Sequence, residues 1–387
     1  MERVKGSIPF SSTFEFRPVL VADSVLQSTS LVLLRRAGLL VLALVVASPG
    51  CSSSGDHGGG AASSKAEKAG SKIVFVTEAV NKDTINIDVS VMNGDGTGRK
   101  LLTKDPADDT DPAWSPDGTK IAFATVRDGG SFEIYVMNAD GGNQTRLTTT
   151  PEDDFGPVWS PDGSRIAYTA YQDGGISSGI MVMNADGTAP YKVTTDPGRE
   201  DDFGPVWSPD GSKIVYSSER DHDLEIYVVM ADGTGQARLT TNPGDDSDPA
   251  WSPDGTKIAY TSYRNLSEEI YVMDADGSGQ TRLTTSSDSE GEPVWSPDGT
   301  RIAYTAFPAS TLAIFVMNAD GSGQTRLTTT FDTPIEPQWS PDGTRIAFTA
   351  EIGDDAEIVV INADGSGATD VTNTPANEYD PQWSPSK

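Results

Sequence analysis

Residues 248–285 read DPAWSPDGTKIAYTSYRNLSEEIYVMDADGSGQTRLTT, and this segment holds four short β-prone runs. They are Pro249-Ala250-Trp251, Lys257 to Thr261, Glu269 to Met273, and Thr281 to Thr284. Each is rich in β-branched or aromatic residues and is bounded by Gly, Pro, Asp or Asn. In Ser252-Pro253-Asp254-Gly255 the proline pre-sets φ, the aspartate bonds nearby backbone, and the glycine takes the left-handed conformation that returns the chain. Asp274-Ala275-Asp276-Gly277 predicts a second tight turn of the same kind. Runs that meet at such turns are antiparallel neighbours. No stretch after residue 72 shows a long, capped helical period.

The segment recurs. All seven tryptophans, Trp114, Trp159, Trp207, Trp251, Trp295, Trp339 and Trp383, follow one another at intervals of 45, 48, 44, 44, 44 and 44 residues. A four-stranded antiparallel unit with that period is a propeller blade. A blade is covered on both faces by its neighbours, so a tryptophan in each unit fills the wedge between sheets. Small residues (Ala122, Ala167, Ala259, Ala303, Ala347) beside large ones (Phe123, Tyr168, Tyr260, Tyr304, Phe348) let adjacent sheets press together. The first unit, beginning at Lys72-Ile73, has no tryptophan block before it, and the last block, Gln382-Trp383, has no second strand after it. The expectation is therefore an all-β, seven-bladed propeller over residues 72–387, closed when the C-terminal strand joins the first blade.

The blocks PxWSPDGTKIAF, IYVMNADG and TRLT resemble the propeller repeat of TolB-type periplasmic proteins, a relative of WD repeats without their Gly-His and Trp-Asp signatures. The resemblance covers about four-fifths of the chain. It implies a non-enzymatic interaction module of the Tol–Pal system, linking outer membrane, peptidoglycan and inner-membrane partners. Two departures stand beside it. The family's propeller is typically six-bladed, and its separate N-terminal domain has no expected counterpart, since a signal and a tether precede Ile73.

Residues 1–50 read as leader and signal peptide: Arg35 and Arg36 precede an apolar run from Ala37 to Ala47, too short to span a bilayer. Translation is expected to begin near Leu31. Residues 51–71 form a Ser/Gly-rich tether. The pattern resembles a bacterial lipoprotein, with Cys51, the sole cysteine, as the lipidated residue; Ser48 and Pro49 depart from that pattern. A periplasmic or other extracytoplasmic location follows, with membrane contact through the lipid alone. Beyond residue 70 the chain holds 21 basic and 52 acidic residues. Nucleic acid is a poor partner for such a body; solubility, or a cationic partner, accounts for the charge.

No catalytic residues are expected. There are two histidines, His57 in the tether and His222 in a charged loop. The chain has no Gly-x-Ser-x-Gly elbow, zinc-ligand cluster or phosphate-binding glycine loop. The Asn-Ala-Asp-Gly turns lack the spacing of a calcium loop. No metal and no cofactor are predicted, and the body is expected to be a monomer.

Acids precede the tryptophans. Asp111, Asp248, Glu292, Glu336 and Asp380 each stand three residues ahead of one. In the other two units that slot is Gly156 or Gly204, with Asp154 beside Phe155 and Asp202 beside Phe203 just before it. These positions are expected in loops crowding one mouth of the channel, where they would attract a basic or extended peptide of an envelope protein, or serve simply to hydrate the loop. Phe155, Phe203, Tyr171 and Tyr263 would suit stacking on a sugar ring, so a cell-wall polymer is a further partner. A carbohydrate-active propeller similar to oligogalacturonate lyases is the alternative reading.

Overall fold

The computed structural model describes residues 34–36, 39–41 and 71–386, apart from 82–83, 196–200, 221–222, 265, 287 and 309–310. The short strands Leu34–Arg36 and Leu39–Val41 pair with each other. The rest of the expected leader and nearly all of the tether, with Cys51 and His57, lie outside the described residues, as does His222.

From residue 71 onward the chain forms seven four-stranded antiparallel sheets. In blade 5 the strands, from the innermost outward, are Asp246–Trp251, Lys257–Arg264, Ser267–Asp274 and Thr281–Arg282. The expected runs are present, with the first three longer than the sequence pattern marks and the fourth shorter. Both turns take the anticipated form: Gly255 N–H donates to the Ser252 carbonyl at 2.8 Å, and Gly255 and Gly277 have φ of 70° and 86°. Asp254 fixes its turn by accepting from Ser252 Oγ, Thr256 N–H and Thr256 Oγ1. Those bonds, led by the one from Ser252, hold its carboxyl below the usual range.

Each hydrophobic cluster of the ring is shared by two consecutive blades. Between blades 5 and 6, for example, Ala259 and Ile270 meet Trp295, Ile302 and Tyr304. The tryptophans do more than fill the wedge. Each indole Nε1–H donates to the carbonyl of the residue just before the preceding blade's tryptophan: Trp251 to Val206 at 3.3 Å, Trp295 to Ala250, Trp339 to Val294 and Trp383 to Gln338, each at 3.1 Å. Trp159 and Trp207 donate in the same way to Ala113 and Val158. Trp114 completes the circle by donating to Gln382 at 3.3 Å.

The closure is as the sequence requires. Strand Asn377–Trp383 pairs with Lys72–Asn81, with Ile73 opposite Trp383 and Val74 opposite Gln382. Ser384 N–H donates to the Lys72 carbonyl at 2.7 Å, and Lys72 N–H to Ser384 Oγ at 2.9 Å. On its other side Trp383 packs against Ala347, Ile358 and Val360 of blade 7. Blade 1 also carries glycine where the other units carry alanine: a Cβ on Gly94 would lie 2.5 Å from Trp383 Cζ3.

Candidate binding face at the channel mouth

The innermost strands place the acids. In all seven blades the register between first and second strands slips just ahead of the tryptophan, as between Ser247 and Ala250. Such a bulge accommodates an extra residue, and here that residue turns left-handed. Asp111, Asp248, Glu292, Glu336 and Asp380 have φ of 50°, 51°, 56°, 59° and 56°. Gly156 and Gly204, in the same slot, have φ of 61° and 65°. A side chain at positive φ costs on the order of 1 kcal/mol that glycine avoids. Five of seven blades nonetheless carry a carboxylate there.

The expectation of loop positions is thereby corrected: these acids stand inside the innermost strands, because the bulge interrupts each strand without ending it. Neighbouring blades touch at this level. Gly156 N–H donates to Asp111 Oδ2 at 3.3 Å, and Glu336 N–H to Glu292 Oε2 at 3.1 Å. Thr305 Oγ1 also donates to Glu292 Oε2, at 3.0 Å. Asp248 is exposed, Asp111, Glu292 and Asp380 are half-buried, and Glu336 is buried. A Cβ on Gly156 or Gly204 would meet nothing within 4 Å, so the ring surrounds open space there.

Glu268, at the start of a third strand, belongs to the same mouth. Its side chain reaches solvent, but the protein mass around the mouth, and then the charges of Asp248 and Glu292, push its carboxyl up. Burial and the nearby Glu78 and Asp380 carboxylates likewise raise the Tyr379 phenol. Sequence reasoning missed both: Glu268 lies in a hairpin whose content varies from unit to unit, and Tyr379, although it stands four residues ahead of Trp383 as Phe155 and Phe203 stand ahead of their tryptophans, follows a different local sequence. The hairpins joining second and third strands flank this end. They carry Ile85, Ile176, Tyr263, Leu266 and Phe307, each 41–89% exposed. The mouth is thus acidic within and apolar at its rim.

Asp154 and Asp202 do not join it. Both are fully buried. They belong to a deeper tier with Asp109, Asp246, Glu290 and Glu378, each five residues ahead of its tryptophan. Because of the bulge, residues two apart in sequence take different environments. This tier is structural: Asp202 pairs with Arg220 at 2.6 Å and Asp109 with Arg127 at 2.8 Å. Phe203 is buried as well, and Phe155 packs on Tyr171 with ring centroids 5.5 Å apart, so these aromatics serve packing before any sugar. Among the described residues no group of three or more His, Cys, Asp or Glu side chains is placed to hold a metal ion, and no helix is long and apolar enough to cross a membrane.

The chain matches the TolB beta propeller domain over residues 59–202 and 132–387. It belongs to the TolB-type β-propeller family. Of solved structures, this TolB-type chain is similar to a putative TolB from Agrobacterium tumefaciens, with 23% identity over 67% of this chain and 88% of that one, at a TM-score of 0.50. It is similar to TolB from Acinetobacter baumannii, with 20% identity over 81% and 67% of the two chains, at 0.54. An oligogalacturonate lyase in complex with manganese shares 16% identity over 77% and 84%, at 0.60. At these identities the likeness is one of fold, and a fold of this kind hosts many activities. No curated protein matches the chain.

Proposed function

We propose that this chain is an extracytoplasmic, non-enzymatic TolB-like module that holds a basic, extended segment of an envelope protein at its acidic channel mouth. The observation that carries this reading is the ring of five carboxylates held at left-handed bulge positions. A strained backbone position that persists in five blades, where glycine serves in two, is what a selected recognition surface looks like. Low-dielectric walls around the ring focus its field on a cation. The exposed Tyr263, Leu266 and Phe307 supply apolar anchoring beside it.

A labelled lysine-rich peptide with an aromatic residue tests the reading by fluorescence anisotropy. Binding weakens with added salt, and the pair Asp248→Asn with Glu292→Gln lowers affinity by about tenfold or more. Salt-insensitive binding that survives both changes would sink the proposal. In the same reading Cys51 carries the lipid that tethers the propeller to a membrane. Cell fractionation of Cys51→Ser is then expected to move the protein into the soluble fraction; unchanged membrane retention rules the anchor out.

A further inference from the structure

Each second strand opens on a basic residue, on the face opposite the acid ring: Lys72, Lys120, Arg165, Lys213, Lys257, Arg301 or Arg345. Where it is arginine, it lies over the tryptophan of the following blade. The guanidinium carbon of Arg165 is 4.8 Å from the Trp207 ring centroid, that of Arg301 is 4.6 Å from Trp339, and that of Arg345 is 4.8 Å from Trp383. The same guanidinium donates to the turns of that following blade. Arg165 reaches the carbonyls of Gly211 at 3.2 Å and Ala231 at 3.4 Å. Arg301 reaches Gly343 at 3.0 Å and Ala363 at 3.5 Å, and Arg345 reaches Gly94 at 3.0 Å. The repeat therefore displays a guanidinium site three times over, built from an indole face and turn carbonyls.

In blades 1, 2, 4 and 5 the residue is lysine, whose ammonium has neither the plane nor the fork to reproduce these contacts. A recess opens beside two of these lysines, Lys120 in blade 2 and Lys213 in blade 4. The one beside Lys120 has a volume of about 400 Å³ and is bounded by Trp159, Gly163, Ala185, Asp117 and Asp162. The one beside Lys213, of about 120 Å³, is bounded by Trp251, Gly255, Ala275, Asp210 and Asp254. Gly163 with Ala185, and Gly255 with Ala275, are the repeat equivalents of Gly211 with Ala231. Two aspartates line each recess.

Trp159 and Trp251 are 7% and 8% exposed, no more than the arginine-covered rings, so an incoming guanidinium must displace the neighbouring lysine side chain. We propose that the recess beside Trp159 takes an arginine side chain of a partner polypeptide, which displaces Lys120 and covers the indole in the manner in which Arg165 covers Trp207; the smaller recess beside Trp251 is a second site of the same chemistry. The site lies on the face opposite the acid ring and does not depend on it. Nuclear magnetic resonance of the tryptophan indole N–H groups tests this on the intact protein, with acetyl-arginine amide as the probe and acetyl-lysine amide as the control. Lys120→Arg identifies the Trp159 signal, since it alters the group beside that ring. Arginine amide is expected to shift this signal saturably, with a Kd in the roughly millimolar range. The lysine analogue is expected to bind several-fold more weakly, and the Trp207 signal to stay still because Arg165 already covers it. Lys120→Arg, which gives blade 2 the residue blades 3, 6 and 7 already use, keeps the fold and abolishes the response. An equal response to lysine, or an undiminished response in Lys120→Arg, overturns the proposal, as does a Trp159 signal that does not move.

Discussion

Trp383→Ala lowers the stability of the propeller by about 3–5 kcal/mol, the range for truncating a large buried aromatic, and removing residues 377–387 prevents the ring from forming. The tryptophan is only 9% exposed and is engaged on every side. It pairs across from Ile73, donates to the Gln338 carbonyl, lies under the Arg345 guanidinium, and packs on Ala347. Its strand also supplies the Gln382 carbonyl that accepts from Trp114. Deleting the strand strips blade 1 of its innermost member, exposes the edge of Lys72–Asn81, and removes one partner from each of two blade interfaces. Urea unfolding followed by tryptophan fluorescence measures the effect. A Trp383→Ala midpoint close to that of the unaltered protein would show that closure lies elsewhere.

The second large effect is a stability that falls as pH rises from about 4 to 7. At five blade interfaces two buried carboxyl groups face each other: Asp88 with Asp109, Glu133 with Asp154, Glu225 with Asp246, Glu269 with Glu290, and Glu357 with Glu378. Burial first, and the neighbouring carboxylate after it, raises Asp88 to about 6 and Asp154, Glu290 and Glu357 to about 7. Asp109 Oδ2, Asp154 Oδ1, Glu290 Oε2 and Glu378 Oε2 are buried without a hydrogen-bond partner, which leaves room for a proton between the pair. Arg282 and Thr284 bond Glu269, and Ser286 bonds Glu290, so the charge of this pair is only partly met.

In the unfolded chain Asp88, Asp154, Glu290 and Glu357 ionise near pH 4, whereas in the folded chain these four keep a proton until pH 6–7. The folded state then binds more protons across that window, so its advantage is complete below about pH 4 and is lost as pH climbs through the folded values. The turn aspartates act in the opposite sense. Hydrogen bonds led by those from Ser160, Ser208 and Ser296 hold Asp162, Asp210 and Asp298 down to about 2. Their contribution is present above pH 4 and is lost as pH falls toward 2, which places the optimum near pH 4–5. Glu290→Gln replaces the shared proton with an amide donor. It is expected to raise stability at pH 8 by about 1–3 kcal/mol and to change little at pH 4.5. Urea midpoints measured across this range decide the matter; a flat profile, or loss of stability in Glu290→Gln at pH 8, contradicts it.

Much of this architecture is written locally. The seven tryptophans mark the innermost strands, the Ser-Pro-Asp-Gly and Asn-Ala-Asp-Gly turns force antiparallel neighbours, and the complementary deficits at Lys72 and Gln382 require closure. These features follow from φ preferences and side-chain capping within one unit and from a fixed period along the chain, all readable without the tertiary structure. The candidate site is legible only in part. Asp111, Asp248, Glu292, Glu336 and Asp380 stand out by their spacing from tryptophan, but the bulge that sends them to the channel and buries Asp109 or Asp154 two residues earlier is a matter of register against the second strand. Glu268 is marked as part of the mouth only by its nearness to Asp248 and Glu292, and Arg165 takes its role from a tryptophan 42 residues ahead.

The chain alone set what each blade is and how many there are, because a blade is built by contacts between residues close in sequence. Which carboxylates meet the channel, which share a proton between blades, and which tryptophans an arginine covers were settled only when each sheet packed on the next. Those neighbours stand in different blades, about 20 to 45 residues apart, and no local preference encodes the distance between them.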